Sequence, residues 1–251
     1  MDEIGRSHIE CNNEVSHGGC SMIFSTPNSL TRYRAESFST KEPETLQWID
    51  KMPSDSVLWD IGANVGIYSI YAAKRHGISV MAFEPSVFNL ELLARNIFLN
   101  NLENDITIFP VALSDEAGPS IFRMSSTALG GALSTFGQDF DQKGNKFNTR
   151  FNYHTMGVTM DDILRVWKIS APRFIKIDVD GIEHFILRGG GETLKGVQSV
   201  MIEIDDDFSD QAEESARGPF LAPNGTRRPA APAPACHSSG LAPVLTCLTI
   251  Q

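Results

Sequence analysis

The chain has 251 residues, 31 acidic against 21 basic side chains and a formal charge of -10, with 41% hydrophobic and 9% aromatic residues. That composition is ordinary for a globular domain with appendages and excludes collagen, coiled coil and wholesale disorder. The negative field also makes DNA or RNA a poor partner. The charge is unevenly spread: residues 1–216 hold all 31 acidic and 18 of the 21 basic groups, while residues 217–251 hold six of the 13 prolines.

No stretch approaches the roughly 18 apolar residues of a membrane helix. The N-terminus lacks a basic-then-apolar signal pattern, and Cys11, Cys20, Cys236 and Cys247 all lie in the flanks. A soluble protein of the cytoplasm, away from membranes, is therefore expected. His8-x-x-Cys11 and His17-x-x-Cys20 repeat one spacing and could supply four zinc ligands. Few apolar residues surround them, so residues 1–30 are expected to form a polar, disordered leader with no metal.

Residues 42–50 predict a short amphipathic helix with Pro43 early and Leu46, Trp48 and Ile49 turned inward. Residues 56–61 are an apolar strand stopping at Gly62, and residues 66–76 a helix ending at Gly77. The unit recurs with a strand at 79–83 and a helix capped by Ser86, then a third strand at 105–113. From 114 to 172 the pattern loosens, with a capped helix start at Thr159, so a lid, a binding loop or a small added hairpin is expected there. A fourth strand at 173–179, a short helix from Ile182 and a fifth strand at 197–204 follow. Strands alternating with helices imply an α/β fold of Rossmann-like type, a mostly parallel sheet with helices on both faces.

In such a sheet ligands bind outside the carboxyl ends of the strands. The first strand delivers Asp60-Ile-Gly62-Ala63-Asn64-Val-Gly66, whose glycines let the backbone turn tightly, and the second delivers Glu84, 18 residues after Gly66. A carboxylate there suits the hydroxyls of a ribose. The dinucleotide fingerprint fails because Asn64 occupies its second glycine position. Asp60 at the strand tip would oppose a pyrophosphate but suit a cationic amino-acid group, which points to S-adenosyl-L-methionine.

These blocks, together with Ala82-Phe-Glu-Pro85, Ala112-Leu-Ser-Asp115, Lys176-Ile-Asp-Val-Asp-Gly181 with Glu183, and Lys41-Glu-Pro-Glu44, resemble the FkbM family of S-adenosylmethionine-dependent methyltransferases over about residues 31–216. The resemblance implies a class I methyltransferase sheet and methylation of a hydroxyl on a small acceptor, often a sugar or polyketide-like compound. It also implies that Asp60, Gly62, Ala63, Asn64 and Gly66 line the methionine part of the cofactor, Glu84 the ribose, and Ala112, Leu113 and Ser114 the adenine.

The tip of the fourth strand borders the transfer position. Asp178 is the candidate base, on the expectation that an apolar pocket raises its pKa, although an ion pair with Lys176 is an equal reading. Asp180, where the family commonly has Glu, and Glu183 complete the catalytic candidates; His184, expected partly exposed, and His154 are weaker. Class I methyltransferases end in two further strands, and after Ala216 only residues 244–250 are apolar. A frameshifted or truncated end is therefore expected, with the fifth strand left as an uncovered edge. The missing strands keep open a non-catalytic remnant that binds the cofactor, and the atypical glycine loop keeps open an NAD-dependent oxidoreductase.

Overall fold

A computed structural model describes residues 11–204 and 244–249. The described chain opens with β1 (Asn12–His17) and β2 (Cys20–Ser25), then α1 (Ser29–Glu36), α2 (Phe38–Lys41) and α3 (Pro43–Ile49). The Rossmann-like core starts at β3 (Val57–Ile61), α4 (Ile67–His76), β4 (Ser79–Phe83), α5 (Val87–Leu99) and β5 (Ile106–Phe109). An inserted segment holds β6 (Ala112–Leu113), β7 (Gly118–Met124), β8 (Ser134–Phe136) and β9 (Phe151–Val158), followed by α6 (Met160–Asp162), which runs on as a π-helix over Ile163–Trp167. The core resumes with β10 (Phe174–Ile177), α7 (Glu183–Arg188), a 3-10 turn at Thr193–Gly196, β11 (Ser199–Ile204) and β12 (Val244–Thr249).

The central sheet has the order β12-β11-β10-β3-β4-β5. Pairing is parallel from β11 to β5, and β12 joins antiparallel along β11. Successive side chains on a strand point to opposite faces, and both faces are buried here. Leu58, Val80, Ala82, Phe174 and Met201 pack with α3, α4 and the N-terminal hairpin. Trp59, Ile61, Phe83, Ile175, Ile177, Val200 and Ile202 pack with α6, the π-helix and α7. Burial on both sides explains why these strands read as near-continuous apolar runs.

Several expectations are corrected. Residues 12–25 are not a disordered leader but an antiparallel hairpin turning at Gly18-Gly19, with Met22 and Phe24 buried in the main core. His17 sits edge-on to Phe38 and Tyr71 and hydrogen-bonds through Nδ1 to Ser39 Oγ at 3.0 Å; His8 lies outside the described residues. Among the described residues no cluster of three His, Cys, Asp or Glu could hold a metal. The expected third strand is broken by Pro110: β5 stays in the central sheet while β6 leaves for a second one. Ser86 occupies the N-cap of α5 without capping through its side chain, whereas Thr159 does cap, accepting from the Asp162 amide at 3.0 Å.

The insertion is a four-stranded sheet of order β6-β9-β7-β8. Its apolar side, Phe122, Met124 and Phe136, packs on Ala112 and Ile182, beside the end of β10. The fifth core strand, β11, is covered by β12 rather than left as an edge. Residues 205–243, which hold the six prolines of the tail, lie outside the described residues. No described helix is long and apolar enough to cross a membrane.

Candidate functional site

Strand order reverses direction between β3 and β10, which is where an open α/β sheet forms a crevice beyond its strand tips. A cleft lies there, walled by Gly62, Asn64, Glu84, Pro85, Asp178 and Asp180. A second cleft adjoins it and shares Gly62, Asn64 and Asp178; its other walls include Lys41, Glu42, Asp60, Tyr68 and Lys176.

Gly62 has φ +80°, and a Cβ there would lie 2.0 Å from the Asp178 backbone oxygen. Only glycine lets β3 and β10 run together at this point. Gly66 packs below the loop against Leu93 and lines neither cleft. Asn64 is also left-handed, at φ +52°; its amide donates to Glu84 Oε2 at 2.7 Å and its Nδ2 to the Gly131 carbonyl at 2.8 Å. Glu84, 5% exposed, also accepts from the Ser86 amide at 2.7 Å. Burial pushes Glu84 up to about 7 against the pull of these donors. Its carboxylate is thus tied to the floor, with lone pairs remaining for ligand hydroxyls.

Asp60 is buried, accepts from the Ser69 hydroxyl through Oδ2, and lines the second cleft with its Oδ1 unpartnered. Burial raises its pKa, opposed by the Lys176 charge. Ala63 lines the same cleft. Ala112 and Leu113 line the first, whereas Ser114 does not: its amide joins β9 at the Val158 carbonyl. The apolar walls there come from Phe83, Val111, Phe122, Phe136, Ile182 and Ile186.

The catalytic candidates separate. Asp178 borders both clefts and meets the buried Lys176 ammonium at 2.8 Å. Burial works to raise its pKa but is outweighed by Lys176 and a hydrogen bond from Glu203, which hold the carboxyl below the usual carboxylate range. The expected raised pKa is therefore not found, and the ion pair is made. Asp180 faces the first cleft in a left-handed conformation, φ +62°, and accepts from the Leu133 amide at 2.7 Å. Burial and the Asp178 charge push it up to about 6.

Glu183 is turned inward onto the Val179 and Gly181 amides at 3.3 and 3.1 Å. Burial pushes it up to about 7, and it lines neither cleft, so it braces the loop after β10 instead of meeting an acceptor. His184 is buried, not partly exposed, against the Phe185 ring. His154 is exposed on β9 opposite Ile121. Sequence reasoning missed Glu203, hidden in an apolar strand run, and Thr135, whose buried hydroxyl lines the first cleft without a partner.

A strap between β7 and β8 roofs the site. The Leu129 carbonyl accepts from Asn28, the Gly130 carbonyl from Arg34, and the Gly131 carbonyl from both Asn64 and Asn89. Asn89 Oδ1 in turn accepts from the Gly130 amide. The residues fit S-adenosylmethionine on the structure's own terms. Asp60 Oδ1, Asn64 Oδ1 and Thr135 Oγ1 are buried and unpartnered, and the Gly62 cradle is one that a side chain would fill.

Comparison with known proteins agrees. Residues 60–219 match the methyltransferase FkbM domain. The chain is 24% identical over 156 residues to the hexuronic acid methyltransferase AglP of Haloferax volcanii, covering 62% of this chain and 59% of that protein. It is 28% identical over 162 residues to the 31-O-demethyl-FK506 methyltransferase FkbM of Streptomyces tacrolimicus, covering 56% and 61% respectively. Among solved structures, an rRNA methylase from Streptococcus thermophilus superposes with a TM-score of 0.51 at 13% identity, over 83% of this chain and 94% of that one, which places the fold. The chain spans about three fifths of the length of the two curated relatives, and it belongs to the family of FkbM methyltransferase domains.

Proposed function

We propose that this protein transfers a methyl group from S-adenosylmethionine to a hydroxyl of a small acceptor, in the class of sugars or polyketide-like compounds. The observation that carries the reading is the pair of joined clefts at the β3/β10 switch point, floored by the Gly62 cradle, with buried Glu84 in one and buried Asp60 in the other. When bound, S-adenosylmethionine supplies a methyl group activated by the positive charge on its sulfur. Glu84 would hold the ribose hydroxyls, Asp60 would face the amino-acid ammonium, and Ala112, Phe122, Phe136 and Ile182 would flank the base. The names of the relatives, one for a hexuronic acid and one for 31-O-demethyl-FK506, support a hydroxylated acceptor.

Asp178 serves as the hydrogen-bond acceptor that aligns the acceptor hydroxyl. Its low pKa fits that part, because a hydroxyl oxygen becomes far more acidic as it bonds to carbon. An ionised carboxylate with little basicity can then still take the proton. Alignment supplies most of the rate in a displacement of this kind. The test is labelled methyl transfer into a panel of hexuronic acids and other sugars. The expected result is incorporation into at least one acceptor, with Asp178→Asn slower by about a hundredfold. An Asp178→Asn enzyme as fast as wild type would remove Asp178 from the mechanism.

A further inference from the structure

Lys176, Asp178 and Glu203 form a charged row on one face of the central sheet, and the strand register explains why. Lys176 pairs with Asp60 of β3 on one side and with Met201 of β11 on the other. Side chains two residues apart share a face. Asp178 and Glu203 therefore continue the face of Lys176 and Met201, side by side, just beyond the last paired residues Ile177 and Ile202. The register sets their carboxyls next to each other, and each perturbs the other's ionisation. Two ionised carboxylates have only acceptors to offer each other, so a hydrogen bond between these neighbours needs a proton on one of them. Asp178 borders both clefts and Glu203 neither.

We propose that Glu203 is the positioning residue of the transfer site: its carboxyl keeps a proton and donates it to the Asp178 carboxylate, which, with Lys176, leaves Asp178 one fixed orientation toward the acceptor. This rests on the methyltransferase reading above. The surroundings decide where the proton sits. The described charged and titratable groups around the pair are Lys41 and Glu42 where α2 meets α3, Asp60 on β3, Tyr68 on α4 and Lys176 on β10. Four carboxyls, those of Glu42, Asp60, Asp178 and Glu203, thus meet two ammonium groups, and Lys41 is already committed to Glu42 at 2.6 Å.

The carboxyls outnumber the ammonium groups by two, and protonating one of them relieves the repulsion. Burial and the Asp178 charge raise Glu203 above the usual carboxylate range, while Lys176, 2.8 Å from Asp178, favours ionisation there. The Lys176 ammonium also lies 5.1 Å from the centre of the Tyr68 ring, a contact that helps to hold it beside Asp178. Asp178 is left with lone pairs on the cleft side, where a hydroxyl can be received.

The test compares wild type with Glu203→Gln, which keeps a donor for Asp178 but has no proton to lose. Infrared difference spectra between the two should show a protonated-carboxyl band at pH 7 that disappears as the pH rises. Loss of that proton adds a negative charge next to Asp178, which borders both clefts. The ratio of affinities for S-adenosylmethionine over S-adenosylhomocysteine, measured by calorimetry, should then climb about tenfold across the same pH interval. In Glu203→Gln the ratio should stay flat. Asp178→Asn supplies an independent arm, because removing the neighbouring charge should move the band's disappearance to lower pH. A missing band, an unmoved band in Asp178→Asn, or a Glu203→Gln ratio that tracks wild type would overturn the proposal. If wild type binds neither cofactor form, the methyltransferase reading fails, and the infrared band still decides the carboxyl pair.

Discussion

The floor and the roof of the cleft are built in different ways. The floor comes from strand tips, where Gly62, Asn64 and Glu84 are placed by the local turn after β3 and the end of β4, and their contacts are mostly backbone to backbone or backbone to carboxylate. The roof, the strap between β7 and β8, is held by side chains reaching across the fold: Asn28 at the N-cap of α1, Arg34 within α1, Asn89 from α5 and Asp180 from the loop after β10. A floor fixed by backbone geometry tolerates almost no change of residue. A roof fixed by several independent hydrogen bonds should loosen step by step.

Substitution should expose that difference. Gly62→Ala places a methyl group 2.0 Å from a backbone oxygen in a left-handed conformation, so the loop must move. S-adenosylhomocysteine affinity should fall by more than about a hundredfold, with several kcal/mol of stability lost as well. Binding within tenfold of wild type would show that the floor is softer than described. Asn89→Ala removes a buried amide that serves both Gly130 and Gly131 and should cost about 1–3 kcal/mol. Its main sign should be faster hydrogen exchange confined to the strap.

Floor and roof also share a pH response. Burial raises Glu84 to about 7, Asp180 to about 6 and Glu183 to about 7. Between their unfolded values near about 4 and those pKa values, the native protein holds protons that the unfolded chain has released. Their contribution to stability therefore falls as pH rises from about 5 to about 7.5. Asp178, Asp50 and Asp161 are lowered, so their contribution is present above about 4 and is lost below it. Melting temperature should be greatest near pH 5 and lower at pH 8; a rise from pH 5 to pH 8 would contradict the assignment. The smallest effect belongs to the exposed Arg95–Glu91 pair on α5, where Arg95→Ala should change stability by no more than about 0.5 kcal/mol and leave binding alone.

The sequence made the floor legible because its signals are local. An apolar run ending in Asp60-Ile-Gly62, and a second ending at Glu84, place two carboxyls at neighbouring strand tips by spacing alone. The roof was legible only as an irregular stretch, since no spacing connects Asn28 with Leu129 or Asp180 with Leu133. The N-terminal hairpin was overlooked because β1 alternates between exposed and half-buried residues, so it carries little apolar signal. The Gly18-Gly19 pair, followed by Met22 and Phe24 at a spacing of two, was the cue available. Glu203 was hidden for a different reason: a single carboxyl in a strand reads as an edge residue until the register sets it beside Asp178.

Calorimetric titration of the full chain with S-adenosylhomocysteine is the most direct test of the central claim, because it needs no acceptor. One site per chain is expected, abolished in Gly62→Ala and retained, though weakened, in Asn89→Ala. Absence of binding to a folded wild-type protein, or equal binding by Gly62→Ala, would contradict the assignment of this cleft to the cofactor.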